Sequence, residues 1–244
     1  MANPLFYRKV VPLNREAHRD FRLQAPNAPL AYARSAHLIP ALVEEFASAM
    51  AEMPIAFLPG AAHPTAVFVA GLRPGTNVFV SEKGLWQASY VPAYLRRYPF
   101  IIGDVPSAEP VLCIDEEFEG FSKTEGTRLF SESGEPEPTV TKALSLAMSY
   151  RAAAERTEAF CALLQKFELF RPVTLDAKLP NGQTTVVHGL LTVNEEAFDA
   201  LPEKKLLELR KEKFLKPVFA HLFSLKSLSR LTEKIATDAQ AAAA

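Results

Sequence analysis

Between Gly84 and Asp104 the chain reads GLWQASYVPAYLRRYPFIIGD, a window that holds the only tryptophan, Trp86, together with Tyr90, Tyr94, Tyr98 and the pair Arg96-Arg97. Arginine grips a carboxylate through a planar fork, and aromatic rings supply stacking faces, so this grouping suits a peptide terminus or an aromatic amino acid. Asp115 follows the apolar run Val111-Leu112-Cys113-Ile114 and stands where a strand would end, the position at which α/β sheets place ligands. The candidate ligand-binding residues are therefore Trp86, Tyr90, Tyr94, Arg96, Arg97 and Asp115, with Tyr98 in the same cluster. Core packing competes for the same side chains. Consecutive helical residues point about 100° apart, so one short helix can bury its aromatics and still turn only one of the two arginines toward a ligand.

No other motif dictates a reaction. The chain contains no GxSxG elbow, no Walker A loop and no GxGxxG, and Gly71-Leu72-Arg73-Pro74-Gly75 lacks the Lys-Ser/Thr that would make it a phosphate loop. His18, His37, His63, His188 and His221 are widely spaced, with no HxxxH or Cys/His pair, so no zinc site is expected. Asp115, Glu116, Glu117, Glu119 and Glu125 are hard oxygen donors, but a run of like charges reads as a solvated loop. His221 and Ser224 would lie one helical turn apart with no acid or oxyanion donor in view, and read as a satisfied interface pair. Neither a metal nor a cofactor is expected.

Composition narrows the classes further. At 244 residues, with 48% hydrophobic and 23% charged residues, the chain can bury a sizeable core. Its 27 basic and 28 acidic side chains give no global field to gather phosphates, which argues against nucleic-acid binding. Cys113 and Cys161 sit in apolar runs without CxxC spacing and read as reduced, buried thiols. No run approaches the length of a membrane span and Met1 to Val11 lacks the apolar stretch of a secretory signal, so the expected address is cytoplasmic.

In chain order, Ala17–Leu23 alternates like a half-buried strand in a proline-broken arm, and Pro40 to Met50 has helical spacing. Ile55–Leu58, Ala66–Leu72 and Asn77–Val80 read as neighbouring strands, with Trp86 to Tyr90 a candidate extension of their sheet. Pro92 and Pro99 bracket a helix of about two turns. Phe100–Ile102 and Val111–Ile114 read as central strands. SESGEPEP, Ser131 to Pro138, reads as an exposed mobile connector and the best boundary. Thr139 to Phe170 follows as one long helix, capped by Thr139 or Thr141, with Leu144, Met148, Phe160 and Leu164 on its apolar stripe. Asn181-Gly182 between Val173–Lys178 and Thr184–Leu191 marks a hairpin, and helices over Glu203–Phe214 and Pro217–Ile235 close the chain before a fraying tail. The fold class is α+β, with a mixed sheet in the N-terminal half and the long helix, β-hairpin and C-terminal helices packed against it. Residues 1–130 form the sheet-rich part and 139–244 the helical part, joined as one integrated domain.

The order of motifs resembles the SapC family of bacterial proteins. The likeness is carried by Glu44-Glu45-Phe46, Pro54-Ile55-Ala56-Phe57, Asn77-Val78-Phe79-Val80, Gly84-Leu85-Trp86, Tyr90-Val91-Pro92, Arg96-Arg97-Tyr98-Pro99-Phe100, Cys113-Ile114-Asp115, Asn194-Glu195-Glu196 and Ala220-His221-Leu222. The family takes its name from a surface-layer association and tends to be encoded near flavin-dependent tryptophan halogenase-like proteins and TonB-dependent receptors. The resemblance implies no particular reaction and carries over no catalytic residue.

The expected function is a non-catalytic binding or accessory role toward a peptide, an aromatic small molecule or a partner protein. Two alternatives stand beside it: an enzyme of unrecognised type acting on an amino acid or peptide, and a surface-layer-associated structural protein. An enzyme requires convergent titratable groups in a polar pocket, whereas a binding module requires only a groove with an apolar wall.

Overall fold

A computed structural model describes residues 3–103, 110–178 and 184–241. Its class is α+β, and every strand pairing among the described residues is antiparallel rather than mixed. One sheet joins β1 (Val10–Pro12), β7 (Val111–Asp115) and β6 (Phe100–Gly103), with β7 in the middle. A second small sheet places β2 (Arg22–Leu23) between β8 (Phe121–Ser122) and β9 (Thr127–Arg128). The largest has the order β10 (Phe170–Lys178), β11 (Thr184–Val193), β4 (Ile55–Leu58), β5 (Thr65–Val69), β3 (Leu38–Pro40). The hairpin β10–β11 thus widens the N-terminal sheet. Its turn residues Leu179-Pro180-Asn181-Gly182, like Asp104, lie outside the described residues.

The helices are α1 (Phe46–Ala49), α2 (Ala93–Arg96), α3 (Pro138–Lys166), α4 (Glu195–Asp199), α5 (Glu203–Lys211), α6 (Leu215–Ser224) and α7 (Leu228–Ala241). α3 is the spine. It runs 29 residues, about 43 Å at 1.5 Å per residue. Val140 and Ala147 near its start pack in one hydrophobic cluster with Phe100, Ile114, Leu129 and Phe130. Tyr150, Phe160, Cys161 and Leu164 further along belong to the main core with Phe46, Phe57, Phe68, Leu190 and Val218.

Several local expectations are corrected by specific contacts. α3 begins with Pro138 in its first turn behind Glu137, with no side-chain cap, so neither Thr139 nor Thr141 caps it. Its buried stripe is Val140, Ala147, Tyr150, Thr157, Phe160, Cys161 and Leu164, so Phe160 and Leu164 lie on it as expected, whereas Leu144 and Met148 lie on the opposite arc and are exposed. Ser131–Pro138 is a closed turn rather than a loose connector. Ser131 N donates to Glu135 O at 2.9 Å, Ser131 Oγ accepts from Glu135 N at 3.1 Å, and Phe130 bridges Pro136.

Asn77–Val80 does not run as a strand. The Asn77 amide donates to Ala33 O and accepts from Phe79 N, curling the chain, and only Val80 bridges Trp86. Residues 14–20 turn on His18 and the Asn14 side chain, leaving a strand of two residues, Arg22–Leu23. α2 has one turn instead of two, and β6 is an edge strand whose Phe100 faces α3. The C-terminal helix expected from Pro217 to Ile235 is divided at Leu225–Ser227, where Ser224 Oγ donates to His221 O and Ser227 Oγ to Ser224 O.

His221 and Ser224 also fix α6 to the large sheet. β11 meets β4 only at Leu191 opposite Phe57, so the outer backbone groups of Ile55 need other partners. Ile55 N donates to Ser224 Oγ at 2.9 Å, and His221 Nδ1 donates to Ile55 O at 3.0 Å. His221 Nε2 accepts from Val193 N at 3.1 Å and meets Thr192 Oγ1 at 2.9 Å. The ring is fully buried, and burial depresses its pKa to about 4.

Candidate functional site

The aromatic-rich window folds into two hydrogen-bonded groups on either side of α2. On one side Trp86 is half-buried and stacks on Phe79 at 5.4 Å, while its Nε1 donates to Tyr90 O at 2.7 Å. The Tyr90 hydroxyl donates to Glu45 Oε1 at 2.8 Å and accepts from an Arg96 guanidinium nitrogen at 3.2 Å. Glu45 is buried and also accepts from Leu42 N and Ala93 N, so its carboxylate pins the start of α2 to α1. Burial raises the Glu45 pKa despite these bonds, and burial together with the Glu45 charge pushes Tyr90 up to about 12.

On the other side Tyr98 rests on Tyr32 at 4.3 Å and meets the rings of Tyr7 and Phe118 edge-on at 5.2 Å each. Its hydroxyl donates to Asp115 Oδ2 at 2.9 Å. Asp115 is fully buried and accepts as well from Arg8 N and Lys9 N, which clamps the N-terminal arm to the end of β7. It therefore faces no ligand directly.

Arg96 and Arg97 diverge. Arg96 is exposed, and its Nε donates to Val91 O at 3.0 Å. Of its five N–H donors, the contacts to Val91 and Tyr90 occupy two. Arg97 is only 9% exposed, with its guanidinium 3.9 Å from the Tyr150 ring centre and 4.4 Å from that of Tyr94. Its Nε has no hydrogen-bond partner, and no carboxylate lies within ion-pair distance among the described residues. Burial raises the pKa of Tyr7, Tyr94 and Tyr150 although the Arg97 charge acts in the opposite direction. These phenols stay neutral at physiological pH.

Between the proline-rich segment at residues 23–30, α2 and the first turns of α3 lies a cleft of about 580 Å³. Its walls include Leu30, Leu95, Leu146, Pro26 and Pro29, and Tyr32, Tyr98, Phe100 and Phe118 form its aromatic part. Arg96, Arg97 and Lys142 are its cations, and among the described residues its lining includes no Asp, Glu, His, Cys or Ser. It shares Pro26, Pro29, Tyr32, Tyr98 and Phe118 with an adjoining recess of about 190 Å³ that is also lined by Arg8, Glu117 and Glu119.

Of the residues singled out from sequence, Arg96, Arg97 and Tyr98 line the cleft. Trp86, Tyr90, Tyr94 and Asp115 do not, and Trp86, Arg96 and Asp115 share no cavity. Trp86 and Tyr90 belong to the α1–α2 clamp, Tyr94 donates to Leu5 O in the interior, and Asp115 supports the floor from beneath Tyr98. Sequence reasoning missed Tyr32, Phe118 and Lys142 as lining residues. Phe118 did carry a signal, as a lone aromatic inside an acidic run, and so did the Pro26/Pro29 pair.

The two cysteines are free and buried, and burial pushes the Cys161 thiol up to about 12, which makes it inert as a nucleophile. Among the described residues no helix is long and apolar enough to cross a membrane. No curated protein and no solved structure matches the chain. The family model described as SapC matches residues 13–231, a span that takes in every residue lining the larger cleft, and the chain belongs to the SapC family.

Proposed function

We propose that the protein is a non-catalytic binding or accessory protein whose cleft receives a peptide or an aromatic ligand. One observation carries this reading: the cleft pairs an apolar and aromatic wall with three cations, Arg96, Arg97 and Lys142. Recognition requires an apolar wall and a few polar anchors, and the cleft supplies both. The tyrosines that border the cleft have pKa values raised by burial and serve as neutral aromatic surfaces, with the Tyr32 hydroxyl donating to Leu95 O and that of Tyr98 to Asp115. The compartment proposed is the cytoplasm, a reading that rests on the two free, buried cysteines.

The test is methyl-resolved NMR of the full chain titrated with aromatic amino acids and short aromatic peptides. Saturable shifts are expected at Leu95, Ala143 and Leu146, which line the cleft, and should vanish in Leu146→Lys, where a long cation fills it. Shifts that persist in that variant, or a complete panel without shifts at the cleft, would overturn the reading.

A further inference from the structure

The cleft and its side recess carry opposite charges at their two ends. Arg96, Arg97 and Lys142 stand around the larger chamber, and Glu117 and Glu119 border the smaller one. Arg96, Lys142, Glu117 and Glu119 are all exposed, and none of the four has an opposite charge within ion-pair distance among the described residues. Three neutral rings in series, Tyr32, Tyr98 and Phe118, connect the chambers, with neighbouring centres 4.3 and 5.2 Å apart. Those centres span up to roughly 10 Å, the length of about three extended residues. Arg8 also borders the smaller chamber, where the two carboxylates outnumber this one cation and leave the chamber net negative.

Resting on the binding reading above, we infer that the occupant is a short peptide with free ends. Its apolar side chain lies on the Tyr32–Tyr98–Phe118 surface, its carboxylate lies toward Arg96 and Lys142, and its amine lies toward Glu117 and Glu119. Charge complementarity fixes the direction. A carboxylate at the acidic end would meet like charge, while at the cationic end it finds the donors of Arg96 that Val91 and Tyr90 leave free. Arg97, held among tyrosine rings without an ion pair, adds a positive field in the larger chamber that requires no side-chain movement. A single residue spans about 3.5 Å of backbone, short of the ring series that separates the two groups of charges.

Calorimetry with four probes on the full chain tests this: the tripeptide Ala-Phe-Ala, its N-acetyl form, its C-terminal amide, and free phenylalanine. The unmodified tripeptide is expected to bind most tightly, with each blocked form and phenylalanine at least about ten-fold weaker. Arg96→Gln should abolish the discrimination against the amide and leave that against the acetyl form. The double variant Glu117→Gln/Glu119→Gln should do the reverse. All of these positions are exposed, and unchanged melting curves verify that the variants fold. Equal binding of all four probes, or discrimination that survives the variants, would overturn the inference while leaving a binding cleft. Absence of binding by every probe, together with silent cleft methyls in the NMR titration, would remove the binding reading itself.

Discussion

The Tyr98 hydroxyl donates to Asp115 Oδ2 at 2.9 Å, so a residue on the cleft floor is held by a carboxylate with no solvent exposure. The same carboxylate takes Arg8 N and Lys9 N at 3.1 and 2.9 Å. Three donors converge on two oxygens. Asp115→Asn retains one oxygen and turns an N–H₂ group against a donor, which should cost about 2–4 kcal/mol of stability. Tyr98→Phe removes only one of the three bonds and should cost about 1–2 kcal/mol. Urea denaturation measures both, and an Asp115→Asn variant within about 0.5 kcal/mol of wild type would contradict this clamp.

Trp86 offers a second measurable case, because it is half-buried and its indole both stacks on Phe79 and donates to Tyr90 O. Complete burial would make Trp86→Ala cost about 3 kcal/mol or more; half burial lowers the expected loss to about 1–2 kcal/mol. Trp86→Phe keeps a stacking ring and loses the hydrogen bond, for about 1 kcal/mol. Since Trp86 is the only tryptophan, the fluorescence of the wild type follows this corner of the fold during the same denaturation.

How far the sequence could be read depends on whether the deciding contact is local. The long helix was legible because its apolar residues recur at helical spacing, but alanines lie on every face of it and obscured which stripe is buried. The composition of SESGEPEP is the same for an open connector and for a closed turn, and only the bonds between Ser131 and Glu135 distinguish them. Asn77 illustrates the opposite case, where a side-chain bond to Ala33 overrides the strand preference of Val78-Phe79-Val80. The cleft itself is assembled from segments around Pro26, Arg96, Phe118 and Lys142, which are adjacent only once the sheets and α3 have formed. The divergence of Arg96 and Arg97, by contrast, follows from helical geometry alone.

His221 should make the fold acid-sensitive. Its folded-state pKa of about 4 lies below the ordinary 6.5, so the unfolded chain binds the proton first as pH falls. Stability from this group is complete above about pH 6.5 and is lost on descending toward about pH 4, with about 2 kcal/mol gone by pH 5. Glu45, whose pKa is raised by burial, acts in the opposite sense, since its protonation favours the folded state. The comparison that isolates His221 is therefore wild type against His221→Gln, an uncharged side chain that can still donate and accept. The variant should be less stable at neutral pH and should show a flatter profile between about pH 7.5 and about pH 5. Parallel profiles would mean that the ring is not held neutral.

The last prediction separates the two adjacent arginines. Arg97 is packed between Tyr94 and Tyr150, and its planar cation is held by ring faces rather than by an anion. Arg97→Lys exchanges the stacking plane for a compact ammonium that is harder to desolvate, and should destabilise the protein by about 1–3 kcal/mol. Arg96 is exposed and borders the cleft, so Arg96→Lys should leave the melting temperature nearly unchanged. It keeps the charge and loses the fork, and binding of a carboxylate-bearing ligand should weaken by about 1–3 kcal/mol. Thermal denaturation and calorimetry on the two single variants give a crossed pattern, stability lost in one and affinity in the other. If Arg96→Lys bound ligand as well as wild type, or if it unfolded the protein as Arg97→Lys does, Arg96 would belong to the packing of α2 and the cleft would have lost its anchor.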